Sequence, residues 1–203
     1  MKLVIVDYGM GNITSIISAL SYIGQDNIVV SNDVQTLNNA DKLILPGVGN
    51  YAMAIAKIKN LNLDAQIEEL VINQKKPILG ICLGMQLLGC SSTESGFNSG
   101  LSLVNGVVDK FSKNGLKVPH VGYNQVIPND SSRLYEGIEG DPDFYFTHSF
   151  KMLSGSSIGQ SFCHYGEDFV ASFELDNVAG VQFHPELSQK NGLQLIKNFI
   201  ELF

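Results

Sequence analysis

One short stretch of the chain combines an apolar strand, a sharp turn and the start of a helix. The apolar run after Pro77 ends at Cys82, which stands between Gly80 and Gly84, and a helical pattern begins directly after it. Glycines flank such a turn because a tight, strained backbone leaves no room for β-carbons beside it. A strand, a turn carrying a nucleophile and a helix together form a nucleophile elbow, here with cysteine in place of serine. The stretch therefore predicts a reactive cysteine at the end of a buried strand.

The helix after the turn bears on the chemistry of Cys82. Its first N–H groups and its dipole point at the sulfur and favour the thiolate, which is the reactive form. The alternative is a buried strand with an inert core cysteine, and this motif alone leaves both interpretations open. Of the two other cysteines, Cys90 follows on the same predicted helix, where we expect it in the core, and Cys163 lies far along the chain. Sparse cysteines without a framework spacing indicate reduced thiols and a cytoplasmic protein.

Length and charge exclude several classes of function. The chain has 203 residues, which predicts a single domain over residues 1–203. The formal net charge is −7 and no basic run occurs, which argues against nucleic acid or an anionic membrane as a partner. No apolar segment reaches transmembrane length, and residues 3–6 read as a first strand, not a signal peptide. No Cys/His spacing suits zinc, so we predict neither a metal nor a cofactor.

Apolar runs and amphipathic segments alternate over the first ninety residues. Strands are predicted at 3–6, 27–30, 42–45 and after Pro77, and helices at 13–23, 51–59 and 61–73. This alternation implies a mostly parallel sheet with helices on both faces. Gly9 and Gly11 resemble part of a dinucleotide fingerprint, but Thr14 stands where the third glycine belongs, so we reject that interpretation.

The second half of the chain does not continue the alternation of strands and helices. We predict loops at 91–96 and 117–124, strand character at 103–111, an aromatic strand at 143–150 and a closing helix at 189–202. Shorter strands are predicted at 160–163, 170–173 and 178–183, with antiparallel partners.

A histidine and a glutamate at the end of one predicted strand complete a possible catalytic set. His184 and Glu186 are two residues apart, so an extended chain projects them to the same side, and Pro185 between them fixes its own φ. A carboxylate beside a histidine selects its tautomer and stabilises the imidazolium. Taken alone this pair is more often incidental. Beside a cysteine elbow it supplies the base and the orienting group for a nucleophile.

The chain resembles the class I (triad-type) glutamine amidotransferases over essentially its whole length. Within that class it is most similar to the glutaminase subunits of imidazole glycerol phosphate synthase, the HisH subfamily. The resemblance rests on the motifs at 8–12, 45–49, 80–86, 119–124, 145–149 and 183–189. It implies an α/β fold of flavodoxin-like type. That fold is a three-layer, open, mostly parallel sheet with helices on both faces, plus a smaller antiparallel sheet.

The resemblance implies a role for each motif residue. Cys82 would attack the side-chain amide of L-glutamine, His184 would shuttle protons and Glu186 would orient it. The backbone N–H groups of Val48 and Leu83 would hold the oxyanion. The residues expected to bind glutamine are Gly49, Gln86, Glu94, His148, Ser149 and Phe150, the last three through their backbone.

A glutaminase used for synthesis must pass its ammonia to an acceptor site. A (β/α)₈ barrel alone takes roughly 250 residues, so we expect that site on another chain. The resemblance implies a HisF-like cyclase as the partner in a heterodimer, whose products are imidazole glycerol phosphate and the carboxamide nucleotide AICAR. The expected docking face comprises Asn12, Pro119, His120, Tyr123, Asn124 and Leu187.

Two positions on that face depart from the family pattern. The family usually has tryptophan at the position of Tyr123 and lysine at that of Leu187. These departures leave open a related protein that feeds ammonia to a different synthase, one that amidates surface sugars. A cysteine hydrolase or peptidase on a similar fold is a third interpretation, and it would not need Gln86 or Glu94.

Overall fold

The computed structural model describes residues 1–112 and 115–203. Within these residues one mixed sheet contains eleven strands. The strands of this sheet are β1 Leu3–Val6, β2 Ile28–Ser31, β3 Lys42–Leu45, β4 Ile78–Ile81, β5 Ser91–Ser92, β6 Asn98–Ser99, β7 Val107–Lys110, β10 Phe150–Leu153, β11 Ser161–His164, β12 Asp168–Leu175 and β13 Val178–Val181. Their order across the sheet is β2-β1-β3-β4-β13-β12-β10-β7-β5-β6, with β11 paired to β12. The predicted α/β class is confirmed.

Helices cover both faces of the parallel part of the sheet, which contains β2, β1, β3, β4 and β13. The helices are α1 Ile13–Tyr22, α2 Val34–Asn38, α3 Tyr51–Asn60, α4 Leu63–Glu68, α5 Leu83–Leu87 and α6 Gln189–Leu202. Leu3 and Ile5 of β1 pack in the core cluster that contains residues of α1 and α6, whereas Val4 and Val6 pack in the cluster with α3 and α4. Because successive side chains of a strand alternate, one buried strand supports both layers.

The antiparallel strands predicted for the second half largely extend the main sheet. β12 pairs antiparallel with β10, β11 and β13, but β13 also pairs in parallel with β4. A separate two-stranded antiparallel sheet is formed by β8, His120–Gln125, and β9, Asp143–His148. This small sheet leads through Ser149 directly into β10, which lies between β12 and β7 in the main sheet.

Several predicted boundaries were wrong. The segment 117–124, predicted as a loop, contains most of β8, whose alternating buried and exposed residues are typical of a strand. The helix predicted at 61–73 is α4 followed by a π-helical turn at Glu69–Asn73. α5 ends at Leu87, so Cys90 is not on that helix, and it is only half-buried. α2 was not predicted; the carboxylate of Asp33 caps it by accepting from the Thr36 N–H at 2.8 Å.

Among the described residues no helix is both long and apolar enough to cross a membrane. In the same part of the chain, no cluster of three or more histidine, cysteine or acidic side chains is arranged to hold a metal ion.

Candidate active site

The turn between β4 and α5 holds Cys82 in a strained backbone conformation. Its φ is +53° and its ψ is −111°, a region that L-residues rarely adopt. The neighbouring glycines are required by close packing. A β-carbon on Gly84 would overlap the carbonyl oxygen of Leu45, and one on Gly80 would lie 2.7 Å from the backbone of Met85. The elbow predicted from the sequence is therefore present, and it carries a cysteine that is 6% exposed.

The neighbouring parallel strand brings His184 and Glu186 to the same edge of the sheet. β13 pairs with β4, and the N–H of Cys82 donates to the carbonyl of Val181 at 2.8 Å. His184 follows three residues later, and its Nδ1 lies 2.8 Å from Oε1 of Glu186. Both side chains are almost fully buried. Among the described residues His184 Nε2 has no hydrogen-bond partner, which leaves it free on the side of Cys82.

The charges around His184 favour its protonated form. Burial acts to lower the pKa of the imidazole, but Cys82 and Glu186 outweigh burial and raise that pKa above its ordinary value. An imidazolium beside a cysteine stabilises a thiolate, because each charge compensates the desolvation of the other. The arrangement therefore favours an imidazolium at His184, next to the sulfur of Cys82.

The backbone around His184 is held by the small sheet. The His184 N–H donates to the carbonyl of Tyr145 in β9 at 2.8 Å. Ser188 is buried, and its hydroxyl donates to the carbonyl of His184 at 2.6 Å and accepts from the Tyr145 N–H at 2.9 Å. A 3₁₀ turn at Pro185–Leu187 carries Glu186 between these contacts. The side chains of His184 and Glu186 thus stand on a rigid support.

A cavity of about 350 Å³ opens over the sulfur of Cys82. It is lined by Val48, Gly49, Cys82, Leu83, Gln86, Glu94, Pro119, Thr147, His148, Ser149, Phe150 and His184. The structure therefore brings every predicted oxyanion and glutamine-binding residue to the same cavity as Cys82 and His184. Thr147 was not predicted; the Cys82 thiol donates weakly to its carbonyl over 4.0 Å.

The glycine-rich loop after β3 lies against the nucleophile turn. A β-carbon on Gly47 would lie 2.6 Å from the Gly84 nitrogen and 2.8 Å from the hydroxyl of Tyr8. The Tyr8 hydroxyl is buried and donates to the carbonyl of Pro46 at 2.7 Å. Gly49 has a φ of +97°, which favours glycine. These contacts place the loop that carries Val48 next to Leu83.

Gln86 and Glu94 line the cavity but already make contacts within the chain. The Gln86 side-chain nitrogen donates to the carbonyl of Phe150 at 2.9 Å and to Oε1 of Gln182 at 2.8 Å. One Glu94 oxygen accepts from the N–H of Tyr51, the first residue of α3, at 2.9 Å. Each side chain therefore has one end fixed by the protein, and only its other end is available for a ligand.

His148 and His120 form a buried pair behind the cavity. His148 Nδ1 lies 2.8 Å from the carbonyl of Phe150, and His148 Nε2 lies 3.1 Å from His120 Nδ1. Burial lowers the pKa of His120 to about 4 and that of His148 to about 3, so both are neutral near pH 7. The carbonyl of Phe150 can only accept, so His148 carries its proton on Nδ1. His148 Nε2 is then the acceptor, and the Nδ1–H of His120 donates to it. The expectation that His120 contacts a partner needs correction, because its side chain is 3% exposed.

The other residues of the expected docking face lie at or near the surface. Pro119, Tyr123 and Leu187 are exposed, and Asn12 and Asn124 are half-buried. The two positions that depart from the family pattern touch each other, because the hydroxyl of Tyr123 donates to the backbone carbonyl of Leu187 at 2.7 Å. Tyr123 therefore ties the exposed face of β8 to the turn that carries Glu186.

The sequence interpretation missed Tyr8, Gln182 and Ser188 as members of the site. Gln182 lies two residues before His184, so the alternation that pairs His184 with Glu186 was the available signal. The Tyr8 hydroxyl contacts the carbonyl of Pro46, and the Ser188 hydroxyl joins the nearby carbonyl of His184 to the distant N–H of Tyr145. No local pattern indicates the contacts with Pro46 and Tyr145.

Comparison with known proteins agrees with this geometry. The sequence model of the family described as glutamine amidotransferase class-I matches residues 4–202. A relative from Pectobacterium atrosepticum, named imidazole glycerol phosphate synthase subunit HisH, is 44% identical over 203 residues, covering 100% of both chains. The HisH subunit of Aquifex aeolicus is 44% identical, covering 98% of this chain and 96% of its own. A relative named HisH 2 from Vibrio vulnificus is 43% identical, covering 99% of this chain and 94% of its own.

Solved structures show the same fold at lower identity. A structure described as a glutamine amidotransferase superposes with a TM-score of 0.76 at 17% identity, covering 98% of this chain and 97% of that one. A chain from the structure of PurLQS from Thermotoga maritima gives a TM-score of 0.72 at 20% identity, covering 98% of this chain and 97% of that one. From the family match, the relatives and the site together, the chain belongs to the class-I glutamine amidotransferase family.

Proposed function

We propose that this chain is the glutaminase subunit of an imidazole glycerol phosphate synthase, hydrolysing L-glutamine to glutamate and ammonia for histidine biosynthesis. The observation that carries the proposal is the set of Cys82, His184 and Glu186 at a cavity that Gln86 and Glu94 also line. Relatives that are 41–44% identical over nearly their full length bear that subunit's name. The reduced thiols agree with a cytoplasmic setting.

The reaction follows from the position of each group. His184 takes the proton of the Cys82 thiol, and the thiolate sulfur forms a bond to the amide carbon of glutamine. The tetrahedral intermediate collapses when the carbon–nitrogen bond breaks, and the imidazolium donates its proton to the leaving nitrogen, which departs as ammonia. Water then attacks the glutamyl thioester while His184 accepts its proton. The carbon–sulfur bond breaks, and glutamate leaves. Glu186 holds the imidazole in the orientation that serves both steps.

The oxyanion of both intermediates needs donors at the cavity wall. We assign this role to the N–H groups of Leu83, at the start of α5, and of Val48, in the loop between Gly47 and Gly49. An amide in the first turn of a helix has no intrahelical partner, and a peptide flanked by glycines reorients readily. One such donor typically contributes about 10²- to 10³-fold to the rate.

The Tyr8 hydroxyl should therefore influence catalysis through the loop. In Tyr8→Phe the buried carbonyl of Pro46 loses its hydrogen-bond donor. We therefore expect kcat to fall by about threefold to tenfold while KM stays within about twofold of the parent value. The free energy of unfolding should fall by about 1–2 kcal/mol. Steady-state glutaminase kinetics and thermal unfolding measure these effects. Tyr51→Phe is the matched control, because the Tyr51 hydroxyl is buried without a hydrogen-bond partner in the described part of the chain. An unchanged kcat in Tyr8→Phe would exclude this role.

The polar ends of glutamine match the groups at the cavity wall. The Glu94 carboxylate suits the α-ammonium group of the substrate, and the fixed amide of Gln86 offers its remaining polar end to the substrate. Gly49 and the backbone of residues 148–150 complete the wall. This set distinguishes a glutaminase from a general cysteine hydrolase or peptidase, which has no need for an ammonium-binding carboxylate at this place.

The ammonia acceptor is a separate cyclase subunit of HisF type. It converts the ammonia and a phosphoribulosyl aminoimidazole carboxamide nucleotide into imidazole glycerol phosphate and AICAR. The docking face comprises the exposed residues Pro119, which also lines the cavity, Tyr123 and Leu187, together with the half-buried Asn12 and Asn124. A second candidate acceptor is a sugar-amidating synthase. The contact between Tyr123 and Leu187 supports this second candidate, because it shows that both departures from the family pattern lie together on the docking face.

A mixed-subunit assay tests the proposal. We expect low glutaminase activity for the isolated chain, and stimulation by about 10²-fold when the cyclase from the same genome and its nucleotide substrate are added. The sugar-amidating synthase from the same genome is the matched alternative partner. Stimulation by that synthase alone would identify the synthase as the ammonia acceptor and would leave the glutaminase assignment in place. High activity without a partner would contradict the coupling, and no glutamate release with either partner would overturn the glutaminase assignment.

A further inference from the structure

The side chain of Gln182 contacts both the sulfur of Cys82 and Gln86, a residue of the cavity wall. Gln182 follows β13, its backbone N–H donates to the carbonyl of Ala171 at 2.8 Å, and its side chain is fully buried. The side-chain nitrogen of Gln182 lies 3.8 Å from Sγ of Cys82, and its oxygen accepts from Gln86. Gln182 is therefore a buried amide in contact with the reacting atom, and the triad does not account for it.

The neighbouring groups fix which end of this amide faces the sulfur. The carbonyl of Phe150 can only accept, so the Gln86 nitrogen lies at that end of the Gln86 side chain. The same nitrogen lies 2.8 Å from the Gln182 side chain and must meet its oxygen. The Gln182 nitrogen then points at Cys82. A reversed Gln182 amide would place two donors against each other and an oxygen against the sulfur.

The surroundings of the sulfur explain why a donor is useful there. Cys82 is 6% exposed, so water solvates a thiolate poorly at this position. The carbonyl of Thr147, 4.0 Å away, accepts from the thiol but repels the thiolate. His184 approaches through its Nε2, and the Gln182 amide is a further donor within reach of the sulfur. A hydrogen bond to a charged group is stronger than one to its neutral form.

We propose that Gln182 donates a hydrogen bond to the Cys82 thiolate and so stabilises the reactive form of the nucleophile. The inference rests on the proposed nucleophilic role of Cys82. Gln182 is held in this orientation by Gln86, which links the wall of the glutamine cavity to the sulfur. The competing explanation is a structural one, in which Gln182 only satisfies the buried nitrogen of Gln86. The two explanations differ in what they predict for the reactivity of Cys82 without substrate.

The test is the pH profile of Cys82 alkylation by iodoacetamide, followed by mass spectrometry of the peptide that contains Cys82. Gln182→Met removes the donor and keeps a side chain of similar length. Gln182→Glu keeps the oxygen that accepts from Gln86 but places a second oxygen against the sulfur. Gln160→Met is the control, because Gln160 is only half-buried and also uses its side chain in two hydrogen bonds, to Ser156 and Ile158.

The profiles should form an ordered series. We expect the midpoint of alkylation to rise from the parent protein to Gln182→Met and further to Gln182→Glu. The rate at pH 7 should be about tenfold lower in Gln182→Met, the effect of losing one hydrogen bond to a charged group. Gln160→Met should lose stability without a change in the profile. An unchanged midpoint in both Gln182 variants, with lower thermal stability, would establish the structural explanation and overturn the inference. Because alkylation needs no glutamine, this outcome is separate from a failure of the glutaminase assignment.

Discussion

Replacement of Cys82 by alanine is expected to lower glutamine hydrolysis by at least about 10⁴-fold, because no other group at the cavity can form the thioester. The change removes only the sulfur, and Cys82 already lies in a backbone conformation that the packing of Gly80 and Gly84 enforces. We therefore expect the variant to fold and to bind glutamine and the partner protein. Glutamate release in the presence of the stimulating partner, followed by a coupled dehydrogenase assay, measures the loss.

The matched control is Cys90→Ala. Cys90 lies just beyond α5, its thiol faces the carbonyl of Val104, and it does not line the cavity. Its replacement should leave the rate within about twofold of the parent, as expected for a substitution outside the site. Supplying ammonia directly should restore product formation by a complex that contains Cys82→Ala, because the acceptor reaction takes place on the other protein. Substantial glutamate release by Cys82→Ala would exclude Cys82 as the nucleophile.

Glu186→Gln is expected to lower kcat by about 10²- to 10⁴-fold and to change the pH dependence of the rate. Burial alone lowers the pKa of His184, and Cys82 and Glu186 raise it above the ordinary value. In the parent protein the imidazolium therefore persists as pH rises through neutrality and is lost only when pH passes that raised value. Without the charge of Glu186 the pKa falls, so His184 loses its proton at a lower pH.

The pH–rate profile measures this effect. The limb at high pH should move to lower pH by at least about one unit in Glu186→Gln. Glu174→Gln is a control for loss of a carboxylate, because Glu174 pairs with Arg133 away from the cavity. That change should lower stability but leave the profile in place. A profile in Glu186→Gln that keeps the parental limb would contradict the orienting role of Glu186.

The elbow and the histidine–glutamate pair were predictable because their signals are local. Gly80 and Gly84 reflect close contacts that exclude a β-carbon, and the spacing of His184 and Glu186 reflects the period of an extended chain. The parallel part of the sheet followed from alternating apolar strands and amphipathic helices. The family resemblance implied that His184 serves Cys82, but the parallel pairing of β13 with β4 that brings them together was not predicted, because pairing between distant strands leaves no local pattern.

The remaining features depend on contacts between distant segments. The stretch 117–124 contains glycine and proline and was predicted as a loop, yet its pairing with β9 makes most of it a strand. The burial of His120 follows from stacking against Phe146 and Tyr165, which no pattern around His120 indicates. The role proposed for Gln182 depends on the orientation of Gln86, which the carbonyl of Phe150 determines. Such tertiary contacts override local propensity.

Trapping the covalent intermediate tests directly whether Cys82 forms a thioester with glutamine. The complex is mixed with glutamine, quenched in acid during turnover, and digested, and the peptide that contains Cys82 is analysed by mass spectrometry. We expect a glutamyl group attached to Cys82, which forms and decays at rates consistent with kcat and is absent from Cys82→Ala. Steady glutamate release with no adduct at any time, in a protein whose Cys82 remains unmodified, would contradict this expectation.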